Sequence, residues 1–140
     1  MGYTRENFEE WIILIPFKME YFTDTFAGEN NLKLDYSMGS LDELEKWILS
    51  NYEDAEGLIK DKKTLDYLTV YIGETFRKYI GGKWFIDLEN KKNVFYSMPV
   101  LKSPEYKGVT SKSPLTYATA CISRNKGDYI STILRNNMEH

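Results

Sequence analysis

Glu74 is the ionisable residue whose sequence neighbours best suit a chemical role. Arg77 follows it at i+3 and Lys78 at i+4, so both cations can reach its carboxylate along the surface of a helix. This spacing favours an ion pair that satisfies a half-buried carboxylate, because an unpaired buried charge is costly. The alternative is a general acid or base with a shifted pKa. That role would need a second carboxylate, and Asp87 in the predicted strand that follows could approach it.

Other common catalytic groups are scarce in the sequence. His140 is the only histidine and the last residue, which removes the Ser-His-Asp and Cys-His mechanisms because both need a positioned imidazole. Cys121, the only cysteine, is predicted to be a small buried residue, and the two residues together cannot form a usual zinc or iron site. The segment 81–84 lacks the spaced glycines of a phosphate loop. We therefore expect a non-enzymatic protein without metal or cofactor; the alternatives are a carboxylate-dependent enzyme that uses Glu74 and a regulatory module for an unknown ligand.

Length and composition predict a single domain over residues 1–140. The chain has 140 residues with 11 Tyr, 7 Phe and 3 Trp, enough to bury a core without a metal or a disulfide. A single cysteine excludes an internal disulfide and suits a reducing cytoplasm. No apolar run approaches the ~18 residues that cross a membrane, and no basic segment precedes the short apolar run near the start, as a signal peptide would require. We expect a cytoplasmic protein that does not contact membranes.

The net charge of −3 is unevenly distributed along the chain. Residues 1–56 carry 13 acids and 4 bases, a net of −9, and residues 57–140 carry 8 acids and 14 bases, a net of +6. Either the halves attract each other in the fold, or the acids form a face for a cationic partner. Nucleic-acid-binding domains usually carry a broad basic face and a high pI, and this chain has a pI near 5.3, so no nucleic-acid partner is expected. Acids around the second predicted helix, with one tyrosine, are the candidate partner-binding residues: Asp42, Glu43, Glu45, Tyr52, Glu53, Asp54 and Glu56.

Apolar periodicity predicts an α+β fold. A stripe at helical spacing begins after the candidate N-cap Thr4 and passes Pro16, which predicts one kinked helix or two helices in close register. Ser40 and Glu43 match a capping box, and 53–57 is predicted to be a loop or a frayed turn. Further helices are predicted at about 41–51, 63–80, 114–122 and 128–136. A small antiparallel sheet, made of a hairpin at about 84–98 and a strand at about 32–36, is expected to pack against the helices.

One motif joins the central helix to the predicted hairpin. Gly73 lies inside the helix, where glycine costs about 1 kcal/mol relative to alanine, so we expect another element to pack closely there. Gly81 and Gly82 are expected to end the helix, because a positive φ costs glycine nothing. Seven residues form this predicted structural motif: Tyr71, Gly73, Glu74, Arg77, Gly81, Gly82 and Trp84.

Three segments between residues 32 and 101 resemble those of small, poorly characterised bacterial proteins. They are Leu34-Asp35-Tyr36-Ser37 followed by Ser40-Leu41, then Tyr71-x-Gly73-Glu74 leading to Gly81-Gly82-x-Trp84, and Met98-Pro99-Val100. Some of these proteins look like immunity proteins, which neutralise secreted toxins. The resemblance implies a protein that works by binding a protein partner, with a cognate toxin as the specific expectation. It implies no active site.

Overall fold

A computed structural model of the protein describes residues 3–106, 108 and 110–138. Short strands form an antiparallel sheet in the order β1-β2-β3, and helices pack around it. The predicted α+β class with a small antiparallel sheet is confirmed. The elements are α1 Arg5–Ile13, α2 Ile15–Tyr21, a π-helical turn Phe22–Phe26, α3 Ala27–Glu29, α4 Met38–Asn51, α5 Ala55–Lys60, α6 Lys62–Ile80, β1 Lys83–Phe85, β2 Val100–Lys102, β3 Ser111–Lys112, α7 Pro114–Arg124 and α8 Tyr129–Met138.

The first helical stretch is two helices in close register, one of the two predicted alternatives. Thr4 caps α1 as expected, and its side chain accepts a hydrogen bond from the backbone N–H of Asn7 at 3.0 Å. Leu14 separates α1 from α2, and Pro16 lies in the first turn of α2. A proline is tolerated there because that N–H would have no partner within the helix.

Helix α6 is the central element of the fold. It contacts α2, α5, α7, α8 and β2, and it is buried on both sides, as its apolar pattern predicted. Asp61 caps its start by accepting a hydrogen bond from the backbone N–H of Thr64. Gly81 ends it with a φ of 72°, which only glycine adopts without strain. None of the helices in the described part of the chain has the length and apolar character needed to cross a membrane.

The strand expected at 32–36 is wrong. This segment is irregular and pairs with no strand. Tyr36 has a left-handed φ of 62°, and its N–H donates to the Tyr71 hydroxyl at 2.8 Å instead of joining a ladder. Leu34 is buried, as the alternating pattern indicated. Alternation therefore located the buried side chain correctly, but a side-chain acceptor on α6 replaced a neighbouring strand.

The hairpin expected at 84–98 is wrong in its second strand. β1 pairs with β2, so its partner strand begins just after the predicted hairpin ends, and β2 is the central strand of the sheet. The intervening chain is a loop in which Asp87 accepts hydrogen bonds from the backbone N–H groups of Glu89 and Asn90. Such local bonds from an aspartate compete with strand pairing, which explains why the ladder does not start earlier.

The capping box expected from Ser40 and Glu43 is also wrong. Ser37 caps α4 one turn earlier, because its Oγ accepts the N–H of Ser40 at 3.1 Å. The Ser40 hydroxyl instead bonds with the Tyr71 hydroxyl at 2.6 Å. Ser37 therefore caps the start of α4, and Ser40 joins α4 to α6.

The segment 53–57, expected to be a loop or a frayed turn, contains the start of α5. Asp54 caps this helix by accepting the N–H of Gly57 at 2.9 Å. The last two helices, α7 and α8, are confirmed within about two residues of their expected positions, a normal disagreement for helix ends. Cys121 lies in α7 and is fully buried, as expected.

Candidate functional site

Two indole groups donate to two carboxylates on one face of α6. Trp11 Nε1 lies 2.8 Å from Asp66 Oδ1, and Trp84 Nε1 lies 2.7 Å from Glu74 Oε2. The two carboxylates are eight positions apart in the sequence, which is about two helical turns. The indole rings meet edge to face with centroids 4.9 Å apart, a favoured aromatic geometry.

Each of these carboxylates also holds a cation. Lys18 Nζ lies 2.6 Å from Asp66 Oδ2, and Arg77 Nη1 lies 3.0 Å from Glu74 Oε2. The predicted pair of Glu74 with Arg77 is thus confirmed, and Arg77 Nε also donates to the carbonyl oxygen of Gly82 at 3.1 Å. These bonds attach α1, α2 and the start of β1 to α6.

Gly73 allows Trp84 to lie directly on α6. A Cβ atom at this position would be 2.2 Å from Cη2 and 2.3 Å from Cζ2 of the indole. The expected close approach to Gly73 is therefore confirmed. Gly82 has a similar role beside Tyr106, whose hydroxyl would lie 1.8 Å from an added Cβ and donates to the Gly81 carbonyl at 2.7 Å.

Asp87, the second carboxylate of the alternative catalytic hypothesis, is engaged by its own loop. The pKa of Asp87 is lowered to about 2, first by the backbone N–H of Asn90 and then by the Asn93 side chain. No hydrogen bond joins Asp87 to Glu74 within residues 3–106, 108 and 110–138. The geometry gives the two-carboxylate mechanism no support.

Changing Glu74 to Gln tests the role of this cluster. We expect the variant to lose about 0.5–2 kcal/mol of unfolding free energy, because a neutral amide weakens the bonds to Trp84 and Arg77. The lower part of that range is favoured by the partial exposure of the pair, 23% for Glu74 and 39% for Arg77. Urea unfolding followed by tryptophan fluorescence measures the change. Unchanged stability together with loss of a biochemical activity would favour the catalytic alternative instead.

Glu45 does not belong to an acidic surface, contrary to the sequence-based expectation. It is 0% exposed, and its carboxylate accepts the backbone N–H groups of Tyr129 at 3.0 Å and Ile130 at 2.9 Å. Burial raises the pKa of Glu45, and the hydrogen bonds from α8 oppose that shift. The residue caps α8 from α4, so it holds two helices together.

The other predicted partner-binding residues on α4 are half-buried and already bonded. Asp42 accepts the Ser131 hydroxyl at 2.6 Å, and Glu43 accepts the Lys33 N–H at 3.2 Å. The remaining candidates follow α4. Burial raises the pKa of Tyr52 to about 12, and its hydroxyl donates to Asp61. Three candidates remain exposed, which are Glu53, Asp54 and Glu56.

A second acidic surface, which sequence reasoning missed, lies on the outer side of α1 and α2. Ile13 and Phe17 are one turn apart and are 67% and 68% exposed. Both fall outside the buried stripe of these helices, which was the available signal. We call this surface the outer helix face; its exposed members are Glu6, Glu9, Glu10, Ile13, Phe17 and Glu20.

A cavity of about 410 Å³ separates the two N-terminal helices from β1. Ile12 and Pro16 line it from the helix side, and Lys83 and Trp84 from the strand side. Glu74 and its ion-pair partner form the rest of its polar lining. The start of β1 therefore lies next to the side of these helices that carries Ile12 and Pro16.

A further cavity of about 520 Å³ lies beside Trp11 and is lined by Tyr3, Asp66 and Lys62, among others. Burial is the main cause that raises the pKa of Tyr3, and Asp66 adds to it. The acid already holds Lys18 and the Trp11 indole, so it does not offer a free charge to a ligand.

Neither a metal centre nor a relative identifies the site. The described part of the chain contains no group of three or more His, Cys, Asp or Glu residues that could hold a metal ion. No protein-family model, curated protein or solved structure matches the sequence. The resemblance to bacterial immunity proteins therefore stays a prediction. The geometry establishes a rigid Trp–carboxylate cluster on α6 and, beside it, an exposed helix face that is acidic and apolar.

Proposed function

We propose that this protein is a non-enzymatic binding domain that forms a complex with a basic protein through the outer helix face. The observation that carries the proposal is the exposure of Ile13 and Phe17, 67% and 68%, among carboxylates. A phenylalanine gains roughly 1.5–3 kcal/mol when it is fully buried, so a partner that covers Phe17 gains a large part of that energy.

The arrangement of these two side chains is more typical of a protein-binding surface than of scattered exposed apolar residues. Single exposed apolar residues are normal, but here two of them lie one turn apart on consecutive helices, the first of which is capped by Thr4. Glu9, Glu10 and Glu20 flank them and are exposed. Charges at the rim of an interface steer an oppositely charged partner and speed the encounter, while central apolar anchors supply the affinity. The partner should therefore present an apolar depression surrounded by Lys and Arg.

The specific partner that we propose is a bacterial toxin, which the protein would block in the cytoplasm. The support is the resemblance carried by the Tyr71-x-Gly73-Glu74 helix and by the Gly81-Gly82-x-Trp84 turn. Blocking a toxin by occlusion requires affinity and no catalytic group, which suits a chain with a single histidine and a single cysteine.

Replacing both Ile13 and Phe17 with serine tests the proposed interface. We expect the dissociation constant for the product of the adjacent gene to rise about tenfold or more, because truncation of a central anchor commonly costs over 1 kcal/mol. Stability should change little, since both side chains are exposed. Isothermal titration calorimetry measures the affinity. Val94→Ser is the matched control, because Val94 is 81% exposed and lies in the loop after β1.

Charge reversal separates the two acidic surfaces. Changing Glu9, Glu10 and Glu20 to lysine should lower the association rate at low salt. Changing Glu53, Asp54 and Glu56 to lysine should not lower it. The opposite pattern would move the interface to the residues around α5. Equal affinity of the serine double variant and the wild type would remove the outer helix face from the interface. Failure of the wild type to bind the adjacent gene product would remove the immunity role.

A further inference from the structure

The opposite charges of the two halves of the chain form no ion pair with each other among the described residues. The two ion pairs among the described residues are Lys18 with Asp66 and Arg77 with Glu74. Neither joins an acid of residues 1–56 to a base of residues 57–140. The acidic excess of the first part is therefore not neutralised by ion pairs to the described bases of the second.

The positive excess includes a like-charge pair on the sheet. Lys83 of β1 lies directly opposite Lys102 of β2 in the antiparallel register, and both are exposed. Like charges in this position destabilise a ladder. Lysines on edge strands often prevent aggregation, but Lys102 lies on the central strand, so edge protection does not explain the pair.

An aromatic ring and an apolar cavity accompany the two lysines. Phe85 lies on the same side of β1 as Lys83, and Lys102 Nζ is 4.2 Å from the centroid of its ring. A cavity of about 390 Å³ beside β1 and β2 is lined by these residues and by Trp84 and Pro104. We call Lys83, Phe85 and Lys102 the basic sheet face.

No carboxylate of the described residues neutralises this face by an ion pair. The charge of Lys102 is the smallest of the causes that lower the pKa of Asp87. Both oxygens of Asp87 already accept hydrogen bonds from its own loop. The basic sheet face is therefore available to an external anion.

We infer that the outer helix face docks on the basic sheet face of a second copy of this chain. The two faces are complementary in charge, since Glu9 and Glu20 stand on one and Lys83 and Lys102 on the other. They are complementary in apolar character as well, because Phe17 and its neighbour Ile13 can enter the cavity beside Phe85. On each molecule, Lys83 of the basic sheet face and Pro16, which precedes Phe17 in the chain, line the same cavity.

This proximity suits a two-fold assembly. When two complementary patches lie side by side, a two-fold rotation brings each patch onto the other twice, and the contact closes as a dimer. The dimer covers the same helix face that the basic partner would use, so the two complexes exclude each other. The dimer does not depend on that partner, and it can be tested with the isolated protein.

Reciprocal charge reversal tests the inference. Sedimentation velocity over a concentration series should show a reversible monomer–dimer equilibrium for the wild type that weakens as salt is raised. The variant Lys83→Glu with Lys102→Glu should dimerise at least about tenfold more weakly, and so should Glu9→Lys with Glu20→Lys. An equimolar mixture of the two variants should form a heterodimer, because both contacts are then attractive again.

A control variant and the salt dependence of the wild type complete the test of the dimer. Lys91→Glu with Lys92→Glu removes the same charge from the exposed loop after β1 and should leave dimerisation unchanged. Circular dichroism confirms that each variant is folded, and the salt dependence of the wild type tests the inference without any substitution. A wild type that stays monomeric at every concentration, or a mixture that does not associate, overturns it. Assemblies larger than two copies overturn the two-fold arrangement.

Discussion

Replacing Gly73 with alanine is expected to destabilise the protein by about 1–3 kcal/mol, even though alanine is the better helix former. An added Cβ would lie 2.2 Å from Cη2 of Trp84, far inside van der Waals contact. The indole cannot move away cheaply, because its Nε1 is bonded to Glu74 at 2.7 Å and its ring packs against Trp11. The strain should therefore outweigh the gain in helix propensity of about 1 kcal/mol.

Urea unfolding of four proteins separates these effects. The set is the wild type, Gly73→Ala, Trp84→Phe and the double variant. A phenylalanine lacks the ring atoms that an alanine would meet, so the cost of Gly73→Ala should fall in the Trp84→Phe background, as coupled neighbours do. Gly39→Ala in α4 is the matched control, because an added Cβ there has its nearest contact at 4.0 Å. A stabilised Gly73→Ala variant would show that the indole moves freely.

Replacing Glu45 with alanine is expected to cost about 2–4 kcal/mol of unfolding free energy. The change leaves the N–H groups of Tyr129 and Ile130 without acceptors, and each buried unsatisfied donor costs roughly 1–3 kcal/mol. It also removes a negative charge at the start of α8, where the helix dipole favours one. Urea unfolding monitored by circular dichroism measures the loss. A loss below about 1 kcal/mol would mean that water or another group replaces the carboxylate.

Glu45→Gln isolates the charge of this carboxylate and predicts a pH dependence. Burial is the main cause that raises the pKa of Glu45 above its ordinary value of 4.5. A raised pKa means that the folded state binds the proton more tightly than the unfolded state. Its contribution to stability is therefore fully present below about pH 4.5 and is lost as the pH rises through the folded pKa.

The glutamine variant should lack this decline, since an amide does not titrate. The stability advantage of the wild type over Glu45→Gln should consequently shrink as the pH is raised from about 4 to 7. Unfolding curves of both proteins over that range provide the measurement. An advantage that grows with pH would show that the hydrogen bonds from α8 outweigh burial and lower the pKa instead.

Local sequence patterns predicted much of the helical structure. The apolar stripe and Thr4 located the N-terminal helices, and the double glycine after Ile80 located the end of α6. Glu74 and Arg77 were paired correctly because positions three apart on a helix are neighbours whatever surrounds them. The cost of glycine inside a helix was enough to predict a close approach at Gly73, although not that Trp84 makes it.

The predictions of strands are wrong where a side chain accepts hydrogen bonds from backbone N–H groups that a neighbouring strand was expected to bind. Tyr71 lies 35 positions from Tyr36, whose N–H donates to its hydroxyl. This contact holds the segment 32–36 as a loop instead of the expected strand. Asp87 accepts the backbone N–H groups of Glu89 and Asn90, which lie inside the expected hairpin. The choice between such local and distant partners depends on positions in space, which alternating patterns do not contain.

The candidate binding surfaces show the same division. The sequence by itself determined the charge of each half, the scarcity of catalytic groups and the amphipathic character of the helices, because these follow from residue type and spacing. Only the tertiary structure decided that Glu45 is buried beneath α8, that Ile13 and Phe17 face outward, and that Lys83 stands opposite Lys102. Burial and cross-strand register arise from the packing of elements far apart in the chain, so they exist only once the fold has formed.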